Sequence, residues 1–452
     1  MVKPSLSFRG FFLYLFCLLC LPPAMHAQQP LVDAADISRE LLYHAARRVE
    51  TTGQQVIFRA AQFAYRFEPS TSQWDVGREK NNFPAEAGRA AKSYTSAHLG
   101  VEYRLKGTSS DDEGILEVRR ADQSEPVVHL RLWERQQLAT TWLAFLRQDT
   151  PSLTAEALAK DLEVSDPEVA DVADDGTYLW LAIRYSTAEG SLGMGTLVRF
   201  DPRTNEAKAF QPPELVLSSV THIVAAGGAL WLGTARFGEG AVFATKGLVR
   251  FDPGTGEVRS YLPGSGPLVG SIVTALTTAG DALWAATDAG MCRIERPGGV
   301  GEAWTCWRIV PTVRLTESVP VSNRPGAPPG GRLPAGSYEV RWANAGYLEV
   351  VTSDWIEGWL AADDFREYAR LHFEAEPYEL VNSGGGPAPM RLLAKPGSDP
   401  LAGALVYRMP LEPVGAATNE GWQRVRARVG WISRKGLDVA PVIQPAGQPV
   451  SR

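Results

Sequence analysis

The sequence predicts a mostly β protein of several domains, and three observations carry that expectation. The chain holds 43 Gly and 32 Pro among 452 residues, a turn-rich composition that disfavours helical bundles. A tryptophan-centred motif returns three times in mid-chain, and a second pattern returns twice near the C-terminus. Both repeats alternate apolar and polar residues with period two, as half-buried strands do. Hydrophobic residues make up 44% and charged residues 21%, which excludes wholesale disorder, collagen and coiled coil. A formal charge of −6 leaves no basic footprint for nucleic acid or an anionic membrane, so neither is an expected partner.

The N-terminal segment reads as a secretory leader. Lys3 and Arg9 precede an apolar run from Phe11 to Leu21, then Pro22, Pro23 and the small-residue end Ala24-Met25-His26-Ala27. That layout predicts a signal peptide over residues 1–27, with an uncleaved N-terminal anchor as the alternative. Cleavage removes Lys3, Arg9, Cys17 and Cys20, so the mature charge falls to −8 and only Cys292 and Cys306 remain. No later stretch is long and apolar enough for a membrane helix, and the expected location is periplasmic or extracellular.

The central repeat predicts stacked sheets. Gly176-Thr177-Tyr178-Leu179-Trp180-Leu181-Ala182 returns at Gly228–Thr234 and again at Gly280–Thr287, with Trp180, Trp231 and Trp284 spaced 51 and 53 residues apart. Leu197-Val198-Arg199-Phe200-Asp201-Pro202 is matched by Leu248–Pro253, each Phe lying 20 residues after its Trp. The third copy has the shorter Met291-Cys292-Arg293-Ile294, so the first two carry an extra ten or so residues in that hairpin. A small antiparallel sheet cannot bury both faces alone, and units of about 45–50 residues with four strands are the signature of a β-propeller blade. A sandwich of three hairpins is the alternative. Weaker copies lie at Ile57–Trp74 and Glu102–Val118, and the Ala-, Leu- and Gln-rich stretch near 136–162 predicts a helical insertion. The expected propeller therefore spans 28–310, with five or six blades.

These repeats resemble the regulator-type propeller repeats of bacterial sensor ectodomains, and are similar to those of the virginiamycin B lyase family. The resemblance is strongest over 170–310 and speaks to fold more than to function. The lyase family uses a catalytic His near bound metal, and the strong repeats here contain only His222.

The second duplication lies beyond a Pro/Gly-rich break at 325–334. Val321–Gly326 matches Leu392–Gly397, Tyr347-Leu348-Glu349-Val350 matches Trp422-Gln423-Arg424-Val425, and Gly358-Trp359-Leu360 matches Gly430-Trp431-Ile432. This order resembles the bacterial SH3-like barrel, which implies two such domains, at 313–382 and 388–440, and a flexible tail at 441–452. The resemblance implies binding of cell-wall peptides or protein partners, with Trp359, Trp422 and Trp431 (and Trp355) as candidate contacts. Packing in the barrel core is the alternative role for each.

Catalytic motifs are not found. H-E-x-x-H, G-x-S-x-G and Walker-type spacings do not occur, and five scattered His remain after leader removal, so no cofactor and no metal are expected. Asp171, Asp174 and Asp175 before Gly176 read as a solvated turn rather than a cation loop. Cys292 and Cys306 lie on neighbouring strands with Pro297-Gly298-Gly299 midway, so a hairpin about Gly299 sets them opposite and predicts a cross-strand disulfide; two buried thiols are the alternative. The hairpin extensions after Trp180 and Trp231 fall on one equivalent connection and should project from one face. They offer Arg184, Tyr185, Glu189, Arg236, Phe237 and Glu239 as candidate ligand contacts. The expected function is an exported non-enzymatic binding or scaffold protein whose partner is an envelope protein or a peptidoglycan peptide. A propeller-fold lyase or hydrolase of the envelope, targeted by the SH3-like modules, is the alternative.

Overall fold

The computed structural model describes residues 44–446 apart from internal stretches, the longest being 80–91 and 364–389. Most described residues lie in strands. Five four-stranded antiparallel units follow one another, each strand pairing with the next in sequence. The first comprises β1 (Arg48–Thr52), β2 (Gln55–Arg59), β3 (Phe63–Glu68) and β4 (Gln73–Arg78), and the second β5 (Lys92–Thr95), β6 (Glu102–Ser109), β7 (Glu113–Arg120) and β8 (Val128–Glu134). Two helices come next, α1 (Arg135–Leu146) and α2 (Ala155–Asp161), where the insertion was expected. The third unit comprises β9 (Glu168–Asp174), β10 (Leu179–Thr187), β11 (Gly190–Asp201) and β12 (Glu206–Phe210). The fourth comprises β13 (Ser219–Ala226), β14 (Ala229–Gly238), β15 (Ala241–Phe251) and β16 (Val258–Tyr261). The fifth comprises β17 (Val273–Ala279), β18 (Ala282–Thr287), β19 (Gly290–Glu295) and β20 (Ala303–Leu315).

One cross-strand pair recurs in all five. Trp180 faces Arg199, Trp231 faces Arg250 and Trp284 faces Arg293. Tyr103 faces Arg120 and Ile57 faces Arg66 at the corresponding step of the first two units, so the weak upstream copies are full members of the series. Period-two alternation gives each unit two apolar faces, and each face needs a neighbour. Tyr103 of the second unit meets Phe200 of the third, ring centroids 5.2 Å apart. Trp180 shares a core with Ile223, Leu230 and Phe251 of the fourth unit, and Trp231 shares one with Leu283 and Ile294 of the fifth. Trp284 then meets Phe67 of the first unit at 4.9 Å, and β17 lies beside β1. The fifth unit thus packs against the first.

Cys292 and Cys306 stand opposite each other in the β19–β20 ladder with Cα atoms 4.1 Å apart, and their sulfurs are bonded. The turn beyond carries Val300 at its exposed tip.

The C-terminal region departs from expectation in three ways. First, β20 runs unbroken through Pro311 to Leu315, so the expected boundary near 310–313 falls inside a strand. Second, residues expected in a flexible tail form β31 (Val439–Pro445), which pairs with β20 from Trp307↔Pro445 to Val313↔Val439. Its Ile443 packs on the aromatic core between the fifth and first units, and burial of that side chain with a full backbone ladder explains the order. Third, the strands expected to form two successive barrels interleave. These are β21 (Val319–Val321), β22 (Gly331–Leu333), β23 (Gly336–Asn344), β24 (Tyr347–Val350), β25 (Ile356–Ala361), β26 (Met390–Leu393), β27 (Pro400–Val406), β28 (Glu412–Pro413), β29 (Trp422–Ala427) and β30 (Gly430–Ser433). β24 pairs with β30 and β25 with β29, across the expected 382–388 boundary.

Candidate binding face

The most distinctive feature of the units is the length of two hairpins. In the fifth unit, Thr287 closes the β18–β19 turn by donating its hydroxyl to the Gly290 carbonyl at 3.2 Å, with only Asp288 and Ala289 between. Thr234 makes the same bond to Gly247 at 2.9 Å in the fourth unit, but there residues 235–246 are inserted between the two. The shared Thr marks where the extension leaves the sheet. In the third unit β10 likewise runs on to Thr187 before β11 returns from Gly190.

The two extensions meet. Gly190 of β11 pairs with Gly238 of β14, which joins the third and fourth units into one eight-stranded sheet. Both meeting residues are glycines, and close approach of two backbones is a use that glycine serves well.

The structure separates the predicted contacts. Tyr185 is buried and belongs to the core between the second and third units, with Leu179, Leu181 and Ile183. Burial pushes its phenol pKa up. It is therefore a core residue and not a surface contact, because the i, i+2 phase set by Leu179 continues through position 185. Arg184 is 13% exposed, and its guanidinium lies 2.8 Å from the Glu168 carboxylate on β9. That pair fastens the base of the extension to the first strand of its unit. Arg236 and Phe237 sit on β14 opposite Phe243 and Val242; their side chains, and all of Glu189 and Glu239, lie outside the described residues.

In the C-terminal region Trp422 is half-buried on β29 opposite Ala361. Trp359 faces Arg424 and Trp431 faces Glu349 in backbone register, while their side chains and Trp355 lie outside the described residues.

Other polar groups have structural partners. Asp174 and Asp175 accept the amides of Gly176 and Thr177 at 2.8 Å each, and Asp175 also takes the Trp180 indole N–H at 2.7 Å. Those carboxylates cap a turn, as expected. Asp171 accepts the Ile223 amide at 3.0 Å and stands 3.9 Å from the His222 imidazole. It ties the first strand of the third unit to that of the fourth. Asp288 is half-buried and accepts the Ile272 amide at 3.0 Å; desolvation raises its pKa. Among the described residues no group of three or more His, Cys, Asp or Glu is placed to hold a metal, and no helix is long and apolar enough to cross a membrane.

No known protein-family pattern and no curated protein matches the chain. Solved structures with some likeness include the extracellular domain of a putative hybrid two-component system from B. thetaiotaomicron, at 12% identity and a TM-score of 0.27. That match covers 68% of this chain and 33% of the other, so the chain spans about a third of its length. The Neurospora crassa Pan2 WD40 domain is 8% identical with a TM-score of 0.22, covering 68% of this chain and 75% of that one. Kuenenia stuttgartiensis hydrazine synthase is 8% identical with a TM-score of 0.27, over 62% and 82%.

Proposed function

We propose that the chain is an exported binding protein, a five-bladed β-propeller whose joined hairpin extensions form the contact edge for an envelope protein. The observation that carries this reading is the Gly190↔Gly238 pairing, because it turns two separate insertions into one continuous projection. A connection lengthened from two residues to twelve adds nothing to the sheet below it, which Thr287 closes in the fifth unit without any extension. Such loops on a rigid scaffold are where recognition is placed. The leader pattern and the Cys292–Cys306 bond support export, since disulfides persist in oxidising compartments. In this reading the C-terminal repeats are SH3-like units that bind peptidoglycan peptides.

Replacing residues 235–246 with Asp-Ala, the bridge of the fifth unit, tests the edge without altering the sheet. Tagged full chain and variant are recovered from an envelope fraction and the co-purifying proteins quantified by mass spectrometry. The reading predicts that one partner falls about tenfold while thermal stability is retained. Identical partner profiles would refute it.

A further inference from the structure

The C-terminal duplication can be laid against the strand pairing residue by residue. In the sequence, Tyr347–Val350 corresponds to Trp422–Val425, and Gly358–Leu360 corresponds to Gly430–Ile432. In the structure each of these strands pairs with the opposite repeat. Val350 faces Gly430, Leu348 faces Ile432 and Tyr347 faces Ser433. Val425 faces Gly358, Gln423 faces Leu360 and Trp422 faces Ala361. The two ladders have the same register, valine against glycine at one end and aromatic against small residue at the other.

The flanking strands repeat the pattern. β25 also pairs with β26 of the second repeat, at Trp359↔Leu393, and β30 lies beside β21 of the first. Val321 on β21 and Leu392 on β26 are themselves equivalent in the duplication. β25 therefore pairs on both sides with the second repeat, and β30 pairs with β24 and lies near β21 of the first. Ile432 is buried with Val313, Val321, Leu348 and Val350, so the borrowed strand supplies core as well as backbone bonds.

We propose that the C-terminal region is a reciprocally strand-exchanged pair of barrel-type repeats, in which the Gly-Trp strand of each completes the other. The proposal rests on the reading of this region as two barrel-type units. An exchange between equivalent partners leaves the strand contacts unchanged, so the connecting segments decide between the exchanged and sequential forms. In the sequential form Val425 would turn back on Gly430 through Arg426-Ala427-Arg428-Val429. That segment contains no Gly, Pro, Asn, Asp or Ser, so it lacks the residues a tight hairpin needs. The exchange makes the two units one interlocked body, and a ligand held by one is coupled to the other.

The two forms differ in which cysteines can meet. In the full chain with its native cysteine pair retained, Tyr347→Cys is combined either with Ser433→Cys or with Ala361→Cys, oxidised, and mapped by non-reducing peptide analysis. Exchange predicts an intrachain 347–433 link at least tenfold more abundant than 347–361. Ala361→Cys with Trp422→Cys reports the second ladder independently and should also link within the chain, whereas Trp422→Cys with Ser433→Cys, the fourth pair, should link weakly. Inserting Asn-Gly between Arg428 and Val429 should shift the yield toward 347–361. Dominant 347–361 and 422–433 links would overturn the exchange while keeping two barrels. A 347–433 link between two chains would replace it with a swapped dimer, and failure of all four pairs would overturn the barrel reading itself.

Discussion

Replacing Trp284 with Ala tests the packing of the fifth unit on the first at its most sensitive point. The indole is 2% exposed and lies where the fifth unit meets the first. Its ring centroid is 4.9 Å from Phe67 and 5.9 Å from Phe58, both in the first unit, and 6.1 Å from the stacked ring of Trp307. Truncating a buried Trp costs about 3–5 kcal/mol, and each lost ring pair adds about 0.5–1.5 kcal/mol within that range or slightly above it. With Trp74 at 6.3 Å there are four such pairs, which place the expected loss near the upper end, about 4–5 kcal/mol. With a urea slope of about 3 kcal/mol/M, the midpoint should fall by about 1.5 M. Trp74→Ala in the same cluster removes a half-buried ring and should cost roughly half as much. Urea unfolding followed by far-UV circular dichroism makes the comparison. If the fifth unit did not pack on the first, Trp284 would sit on a free end and the substitution would cost about 1 kcal/mol or less; a midpoint shift below about 0.3 M would refute that packing.

The remaining predictions concern the fastenings around that seam. Replacing Cys292 and Cys306 together with Ser should cost about 3 kcal/mol, the entropy of a loop of this size, and maleimide should label neither cysteine in the folded wild type. Ending the chain at residue 438 removes β31, and limited proteolysis should then cut near Trp307 and Val310 at least tenfold faster, because β20 loses its ladder partner there. His44 is buried against Phe63 and its pKa is lowered to about 4, mainly by burial, with the Arg78 charge adding and Asp438 opposing. The unfolded imidazole takes up its proton below about pH 6.5, whereas the folded one resists until about pH 4. Stability from this group is therefore complete above pH 6.5 and falls as pH drops to 4, by roughly 3 kcal/mol. His44→Phe should flatten that part of the pH–stability curve, measured by urea midpoints at pH 7, 5.5 and 4.

Much of the repeat fold was legible because its signals are local. Trp180, Trp231 and Trp284 with their downstream Arg-Phe or Arg-Ile pairs fix strand two and strand three of each unit. Ile57 and Tyr103 were harder to place, since the aromatic slot opposite Arg66 and Arg120 is filled by different side chains. Hairpin arithmetic set Cys292 opposite Cys306, and the leader pattern favoured a bond between them over two buried thiols. Tyr185, a candidate contact by its place in the connection, faces inward because it alternates in phase with Leu179, Leu181 and Ile183. The interleaving of β24 with β30 and β25 with β29 could not be read at all. Equivalent strands carry equivalent patterns, so sequence periodicity cannot say which copy a strand joins. The return of β31 to β20 is a contact across more than a hundred residues, and its short apolar alternation resembles any tail.

Site-specific photo-crosslinking in cells tests the central claim most directly. A photoreactive residue is placed at Glu189 or Glu239 in the joined extensions, and at Val300, the exposed tip of the β19–β20 turn in the fifth unit, as a control. The account predicts one discrete adduct shared by positions 189 and 239 and lacking at 300. Equal adduct patterns at all three positions, or none at 189 and 239, would contradict it.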